Sequence, residues 1–171
     1  MLPEQVLHHT MEIFTFMGSS VLRHDDAYSF QIITKIIETL IPILVKLDKN
    51  IEEYNEKELQ HLEKRVVPVL RIFADVVLHV PEHRRLPLYQ KLIETIGPSQ
   101  FLWIFLALLL ETHIAHFNDS KKKDKRPSRT LADQESPINR MDFGQSILLE
   151  FPPEVCLENF IKLTAYMKSL P

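Results

Sequence analysis

Apolar residues recur along this chain at the three-and-four spacing of an α-helix, and no alternating run of β-branched residues bounded by hairpin turns competes with them. The pattern is sharpest in VPEHRRLPLYQKLIETIGPSQFLWIFLALLLE, residues 80–111. Leu86, Leu88, Leu92, Ile93 and Ile96 predict one helix there. Gly97 stops it, because glycine enters the left-handed conformation that a helix C-terminus often needs. Pro98 opens a second helix, since its missing N–H would be unpaired at the first position anyway. Phe101 to Leu110 is then apolar without a break. A helix apolar on every side must be covered on every side. Two helices cannot do that alone, so the run predicts that other helix pairs stack against it.

The rest of the chain repeats this theme. Pro3 to Met17 predicts an amphipathic helix with Val6, Leu7, Ile13, Phe14 and Met17 on its apolar side. Gly18, Ser19 and Ser20 break it. Asp25 or Asp26 is placed to cap a helix over Tyr28 to Leu47, whose apolar residues cover more than one face. Pro42 should kink or split that helix, because it removes a hydrogen bond and crowds the preceding turn. Asp48 to Glu58 is polar and reads as a loop. A third helix is predicted from about Lys57 to Val80, solvent-facing in KELQHLEKR and core in VVPVLRIFADVV, with Pro68 interrupting it. The strings LIPILVKL and VVPVLRIF are alike and lie 26 residues apart, which resembles a helical repeat with a proline bend.

The second helix of the 80–111 hairpin is predicted to end near Phe117. Residues 118–140, NDSKKKDKRPSRTLADQESPINR, carry few apolar side chains and many charges. They cannot bury enough surface to offset their ordering entropy, so they read as a flexible basic insert. Apolar periodicity returns at Phe143 to Phe151. Pro152 and Pro153 start a last helix over Glu154 to Ser169, with Val155, Leu157, Phe160, Ile161, Leu163 and Met167 as its expected core face. The fold class is all-α.

Composition narrows this picture without redirecting it. The chain has 171 residues, 45% hydrophobic and 25% charged, which suits one globular domain. A net charge of −3 gives no bulk attraction for a polyanion. The single cysteine, Cys156, excludes an internal disulfide and fits a reducing compartment. Residues 1–17 carry Glu4, His8, His9 and Glu12 where a secretory signal needs an apolar stretch. The run from Phe101 is about half the roughly 20 residues of a membrane span and stops at Glu111, so a buried core helix is expected.

Candidate chemistry is sparse. His79 and His83 are four apart, and His113 and His116 three apart; either pair can share a helix face for a metal, but no third ligand is evident, so ordinary histidines are expected. Cys156 has no histidine-bearing motif around it and reads as a small core residue. Phosphate-binding glycine motifs are absent, in keeping with only 3 glycines. Leu106, Leu109 and Leu110 fit an LxxLL docking pattern, yet the apolar surroundings assign them to the core. No catalytic residue, cofactor, metal or small-molecule substrate is expected.

Two basic features remain. Arg84 and Arg85, beside His83 and Glu82 at a helix entrance, can hold an RNA phosphate or an acidic partner, or else form a solvated turn with a local Glu–Arg pair. Lys121, Lys122, Lys123, Lys125, Arg126 and Arg129 crowd positive charge around Asp124. That suits a nuclear localisation signal, an RNA-contacting arm or a plain solvated insert.

Three stretches carry a family resemblance. HVPEHRRLPLYQKLIETIG followed by FLWIFLALLLE, with LPEQVLHHTMEIFTFMG and YSFQII before it, resembles the HEAT repeat-containing protein 1 family of large nucleolar proteins associated with the U3 small nucleolar ribonucleoprotein. The likeness covers Leu2 to Glu111 and returns loosely over Phe151 to Pro171. Family proteins are many times longer, so the resemblance implies an internal or truncated segment. It implies an α-solenoid of HEAT-like antiparallel helix pairs. The chain then divides into HEAT-like repeats over 1–117, the flexible basic insert over 118–140, where the likeness is weak and the lysine-rich sequence departs from the family, and a further helical segment over 141–171. It also implies a non-catalytic scaffold of the small-subunit processome, acting in pre-rRNA processing and linked to rRNA gene transcription. Its expected partners are protein subunits of a pre-ribosomal complex and RNA (U3 small nucleolar RNA or pre-rRNA), in the nucleus and nucleolus and away from membranes. An RNA-binding module acting through the insert, and a different helical-repeat adaptor such as a nuclear transport factor, are the alternatives. A small helical enzyme would need converging acids, bases or ligands, and ranks last.

Overall fold

The computed structural model describes residues 9, 12–16, 20, 25–46, 56–123 and 138–170. Residues 12–16 are helical, and six α-helices follow: α1 (Ala27–Lys46), α2 (Glu56–Val76), α3 (Glu82–Ile96), α4 (Pro98–Lys123), α5 (Ile138–Leu149) and α6 (Pro153–Ser169). A 3-10 turn, Val77–His79, joins α2 to α3. Among the described residues there is no strand.

The helices form two layers. In one, α1 packs on α3 and α3 on α5; in the other, α2 packs on α4 and α4 on α6. Successive helices pair across the layers, α1 with α2 and α3 with α4. The repeating unit is therefore a helix pair. The string LIPILVKL, up to Lys46, lies in α1 and the similar VVPVLRIF in α2, the two partners of one pair, so their spacing is not the structural repeat.

Local chemistry sets the boundaries. Asp26 is the cap of α1: its Oδ1 accepts the Ser29 N–H at 2.7 Å, satisfying a first-turn donor. Helix α1 runs unbroken through Pro42, and α2 through Pro68. An interior proline costs about 3 kcal/mol, and here the buried neighbours Ile41, Val69 and Leu70 hold the helices together around it. Helix α2 stops at Val76 rather than Val80, because the last residues tighten into the 3-10 turn. Gly97 adopts φ 107° and donates its N–H to the Ile93 carbonyl at 3.0 Å, closing α3 one residue before Pro98 opens α4. Helix α4 continues past Phe117 to Lys123.

The core runs along the seam between the layers. Rings of Phe14, Phe73, Tyr89, Phe105 and Phe143 form a cluster that branches at Tyr89, with centroid separations of 5.2 to 5.8 Å. Most of Phe101 to Leu109 is buried, with Trp103 and Leu110 half-buried, as the apolar run requires. Residues Pro98–Ala115 are long and apolar enough by composition to cross a bilayer. Here they are the central helix, with α2, α3, α5 and α6 packed around them.

Two expectations about faces fail. On α6 only Leu163 of the expected core face is buried and Val155 half-buried; Leu157, Phe160, Ile161 and Met167 are exposed. The helix has apolar residues on two opposite sides, and only one side has a neighbour among the described residues. In the N-terminal helical segment Phe14 is buried but Ile13 is exposed, while Val6, Leu7 and Met17 lie outside the described residues.

Candidate interaction surfaces

The arginines at the entrance to α3 are engaged within the chain. Arg84 Nε lies 2.9 Å from Asp25 Oδ1, and its Nη1 donates to the Asp26 carbonyl. Its guanidinium also sits 5.3 Å from the centroid of the Phe30 ring, a cation–π distance. His83 Nε2 approaches the same Asp25 carboxylate at 3.4 Å. Together these contacts clasp the start of α3 to the start of α1. Arg85 turns the other way. Its Nη2 donates to the carbonyls of Leu78 at 3.3 Å and Val80 at 3.0 Å, capping the 3-10 turn. A phosphate or acidic partner would compete with these bonds.

Of the basic stretch, Lys121, Lys122 and Lys123 form the last turn of α4, while Lys125, Arg126 and Arg129 lie outside the described residues. Among the described residues no group of three His, Cys, Asp or Glu side chains converges as a metal site would. His79 and His83 are exposed and His113 half-buried. The Cys156 thiol is half-buried against the carbonyls of Leu148 at 3.0 Å and Phe151 at 3.3 Å. Leu106 and Leu109 of the LxxLL pattern are buried inside the array.

Two polar features that pattern reading missed set the register of α6. Asn159 is fully buried. Its Oδ1 accepts the Trp103 N–H at 2.9 Å, and its Nδ2 donates to the carbonyls of Pro98 at 3.1 Å and Val155 at 2.8 Å. Lys162 Nζ reaches the Ser99 carbonyl at 2.8 Å. Both side chains thus grip the first turns of α4. The signal was present: Asn159 stands four residues from both Val155 and Leu163, on the stripe that faces the core. The second feature is Glu111, which joins three helices. Its Oε2 accepts from Arg71 at 3.1 Å and its Oε1 from the Tyr166 hydroxyl at 2.6 Å. That hydrogen bond pushes the Tyr166 phenol up from its ordinary value, because ionisation would set two anions face to face.

Each end of the array presents apolar surface. At one end Tyr28, Ile32 and Ile43 of α1 are exposed; at the other, Met141 and Leu149 of α5 with Leu157, Phe160, Ile161 and Met167 of α6. Over its described side chains the interior helix α4 exposes Ile114 but no comparable stripe, because neighbours flank it on both sides.

A two-layer stack of antiparallel helix pairs, apolar at its ends and without a converging chemical site among its described residues, defines an α-solenoid of the HEAT type. Residues 61–171, more than half the chain, match the profile of the family described as HEATR1-like, HEAT repeats, and the chain belongs to that family. It is 38% identical over 170 residues to HEAT repeat-containing protein 1 of Danio rerio, a match covering 99% of this chain and 7% of that protein. The human protein of the same name is 36% identical over 169 residues, again 99% of this chain and 7% of its own length. U3 small nucleolar RNA-associated protein 10 of Schizosaccharomyces pombe is 38% identical over 109 residues, which is 64% of this chain and 6% of that protein. The chain therefore spans only a small fraction of the curated relatives it matches.

Proposed function

We propose that this chain is a non-catalytic scaffold segment of ribosome biogenesis. It serves in the nucleolus as part of the small-subunit processome, in pre-rRNA processing. The observation that carries this reading is the similarity to HEAT repeat-containing protein 1 along almost the whole chain, together with the name of the fungal relatives, which associates them with U3 small nucleolar RNA. The architecture supports it: a solenoid offers long surfaces to partners, and each repeat is stabilised only by its neighbours. Side chains here are spent on holding helices together rather than on poising acids and bases.

Within that role the basic stretch is the candidate RNA or partner contact. Lys121, Lys122 and Lys123 continue α4, and Lys125, Arg126 and Arg129 follow in sequence. Arg84 and Arg85 already hold intrachain acceptors, which favours the lysine-rich stretch over them.

The test is affinity purification of the tagged chain from nuclear extract, with and without ribonuclease. Recovery of processome proteins and precursor ribosomal RNA is expected. Loss of every partner after ribonuclease would shift the reading to direct RNA binding. That binding would then fall steeply with salt and disappear on deletion of residues 121–129, as counterion release demands. Recovery of chaperones alone would overturn the scaffold role for this chain by itself.

A further inference from the structure

The exposed side of α6 is an apolar stripe with opposite charges at its two ends. Glu154, Leu157, Ile161, Thr164 and Lys168 follow one another at spacings of three, four, three and four residues, the period of a coiled-coil seam. Leu157 and Ile161 are more than half exposed, and so are Phe160 and Met167, which flank them. Glu154 and Lys168 are exposed as well. Thr164 spends its hydroxyl on the Phe160 carbonyl at 2.8 Å, so it brings no unsatisfied donor into the stripe. The opposite side of the helix, with Asn159 and Leu163, is turned onto α4. On α5 and at its end the exposed residues are mostly polar, among them Asp142, Gln145, Ser146 and Glu150. The stripe is therefore one helix wide.

We propose that this stripe seats the α6 of a second copy of the chain, running antiparallel, with Ile161 at the two-fold axis. In that register Ile161 meets its own counterpart, and Leu157 lies opposite Thr164 and Ala165. Glu154 and Lys168 stand seven residues to either side of the axis. Glu154 of each copy thus faces Lys168 of the other, and both ends of the seam attract at once. A parallel copy would set Glu154 against Glu154 and Lys168 against Lys168, and like charges so close repel. This self-complementary order of charges is what names a second copy as the occupant and fixes its direction. The width of the stripe agrees, since one helix covers it without needing apolar surface on α5. The two-fold buries the same patch on both copies, so association closes at two. A seam one helix wide lies at the low end of specific interfaces, which implies a reversible dimer with a dissociation constant on the order of tens of micromolar. The proposal stands on α6 itself and is independent of the scaffold role.

Sedimentation equilibrium of the purified chain at low salt, from about 1 to 300 µM, reads the association directly. Three single variants, Ile161→Glu, Glu154→Lys and Lys168→Glu, are run beside it, with circular dichroism melts to confirm that each is folded. An equimolar mixture of the two charge variants completes the set. The wild-type chain is expected to dimerise, and Ile161→Glu to weaken the dimer about tenfold or more, by placing a charge at the axis. Each charge reversal should weaken it about threefold or more. The mixture should recover the wild-type constant, because in a mixed dimer every lysine again meets a glutamate. Mixing cannot repair an effect of either reversal on its own helix, so recovery belongs to the interface. Should Ile161→Glu fail to fold, the charge variants and their mixture decide by themselves. A chain that stays monomeric over the whole range would overturn the proposal. So would a dimer that survives Ile161→Glu, since it would lie elsewhere. Charge reversals without effect, or a mixture no tighter than its components, would overturn it too, by removing the antiparallel register. None of these outcomes bears on the scaffold reading, which partner recovery from nuclear extract tests separately.

Discussion

Asn159 shows how one buried polar residue sets a helix register. Its amide satisfies the Trp103 N–H and the Pro98 carbonyl on α4 while returning a bond to Val155 on its own helix. Asn159→Ala leaves those α4 groups buried against a methyl, and each unsatisfied group costs a desolvation penalty. We expect a loss of roughly 1–3 kcal/mol in urea unfolding, against a change within about 0.5 kcal/mol for Ser146→Ala on an exposed face. Tyr89 adds a pH dependence. Its hydroxyl donates to the Phe73 carbonyl at 2.6 Å, and burial pushes the phenol far above its ordinary value. A raised folded value means that its contribution is whole below the unfolded phenol's pKa, near 10, and is lost as pH climbs beyond it. The wild-type chain should therefore lose stability above about pH 10, and Tyr89→Phe should flatten that limb in pH-dependent thermal melts.

At the scale of the element, ends matter more than propensity. Helix α1 begins where Asp26 accepts the Ser29 N–H, whereas the adjacent Asp25 spends its carboxylate on Arg84 and His83. Asp26→Ala should cost roughly 0.5–2 kcal/mol, as loss of an N-cap does. Asp25→Ala, which loses a half-exposed ion pair, should cost less. Circular dichroism melts of the two single variants check the order; equal losses would show that the cap is not what sets the start of α1. The same scale explains why the prolines are tolerated. Pro98 and Pro153 occupy first helical positions, while Pro42 and Pro68 lie inside helices whose adjacent residues are buried.

For the whole molecule, stability should be graded. Helix α4 is packed by four neighbouring helices, and Tyr89, Phe105 and Phe143 close the centre of the core around it. Helices α1 and α6 are each apolar on a face that has no neighbour among the described residues. Native-state hydrogen exchange should therefore find the slowest amides in α4 and progressively faster ones toward α1 and α6. Uniform protection across all six helices would show instead a single cooperative unit. The ends are also where association is expected, since large exposed apolar stripes mark contact surfaces on soluble proteins.

Much of this was legible in one dimension. The period of the apolar residues determined that the chain is helical, because a face that must be buried recurs every three or four positions. Gly97 and Pro98 marked the α3–α4 turn, the pair Asp25 and Asp26 the start of α1 without saying which of them caps it, and the apolar run of α4 required neighbours on every side. The strings VPEHRRLP and FLWIFLALLLE carried the family. Only the tertiary structure decided which apolar face of α6 is core and which stays exposed, since Val155 with Leu163 and Leu157 with Ile161 are equally periodic. It alone turned Arg84 and Arg85 inward, onto acceptors that folding brings to them: the Asp25 carboxylate and Asp26 carbonyl at the start of α1, and the carbonyls of the 3-10 turn. It alone made Asn159 and Glu111 joints between helices, because the groups they satisfy lie 40 to 61 residues away along the chain. Periodicity records what must be covered; the contacts that cover it are long-range, and sequence spacing does not encode them.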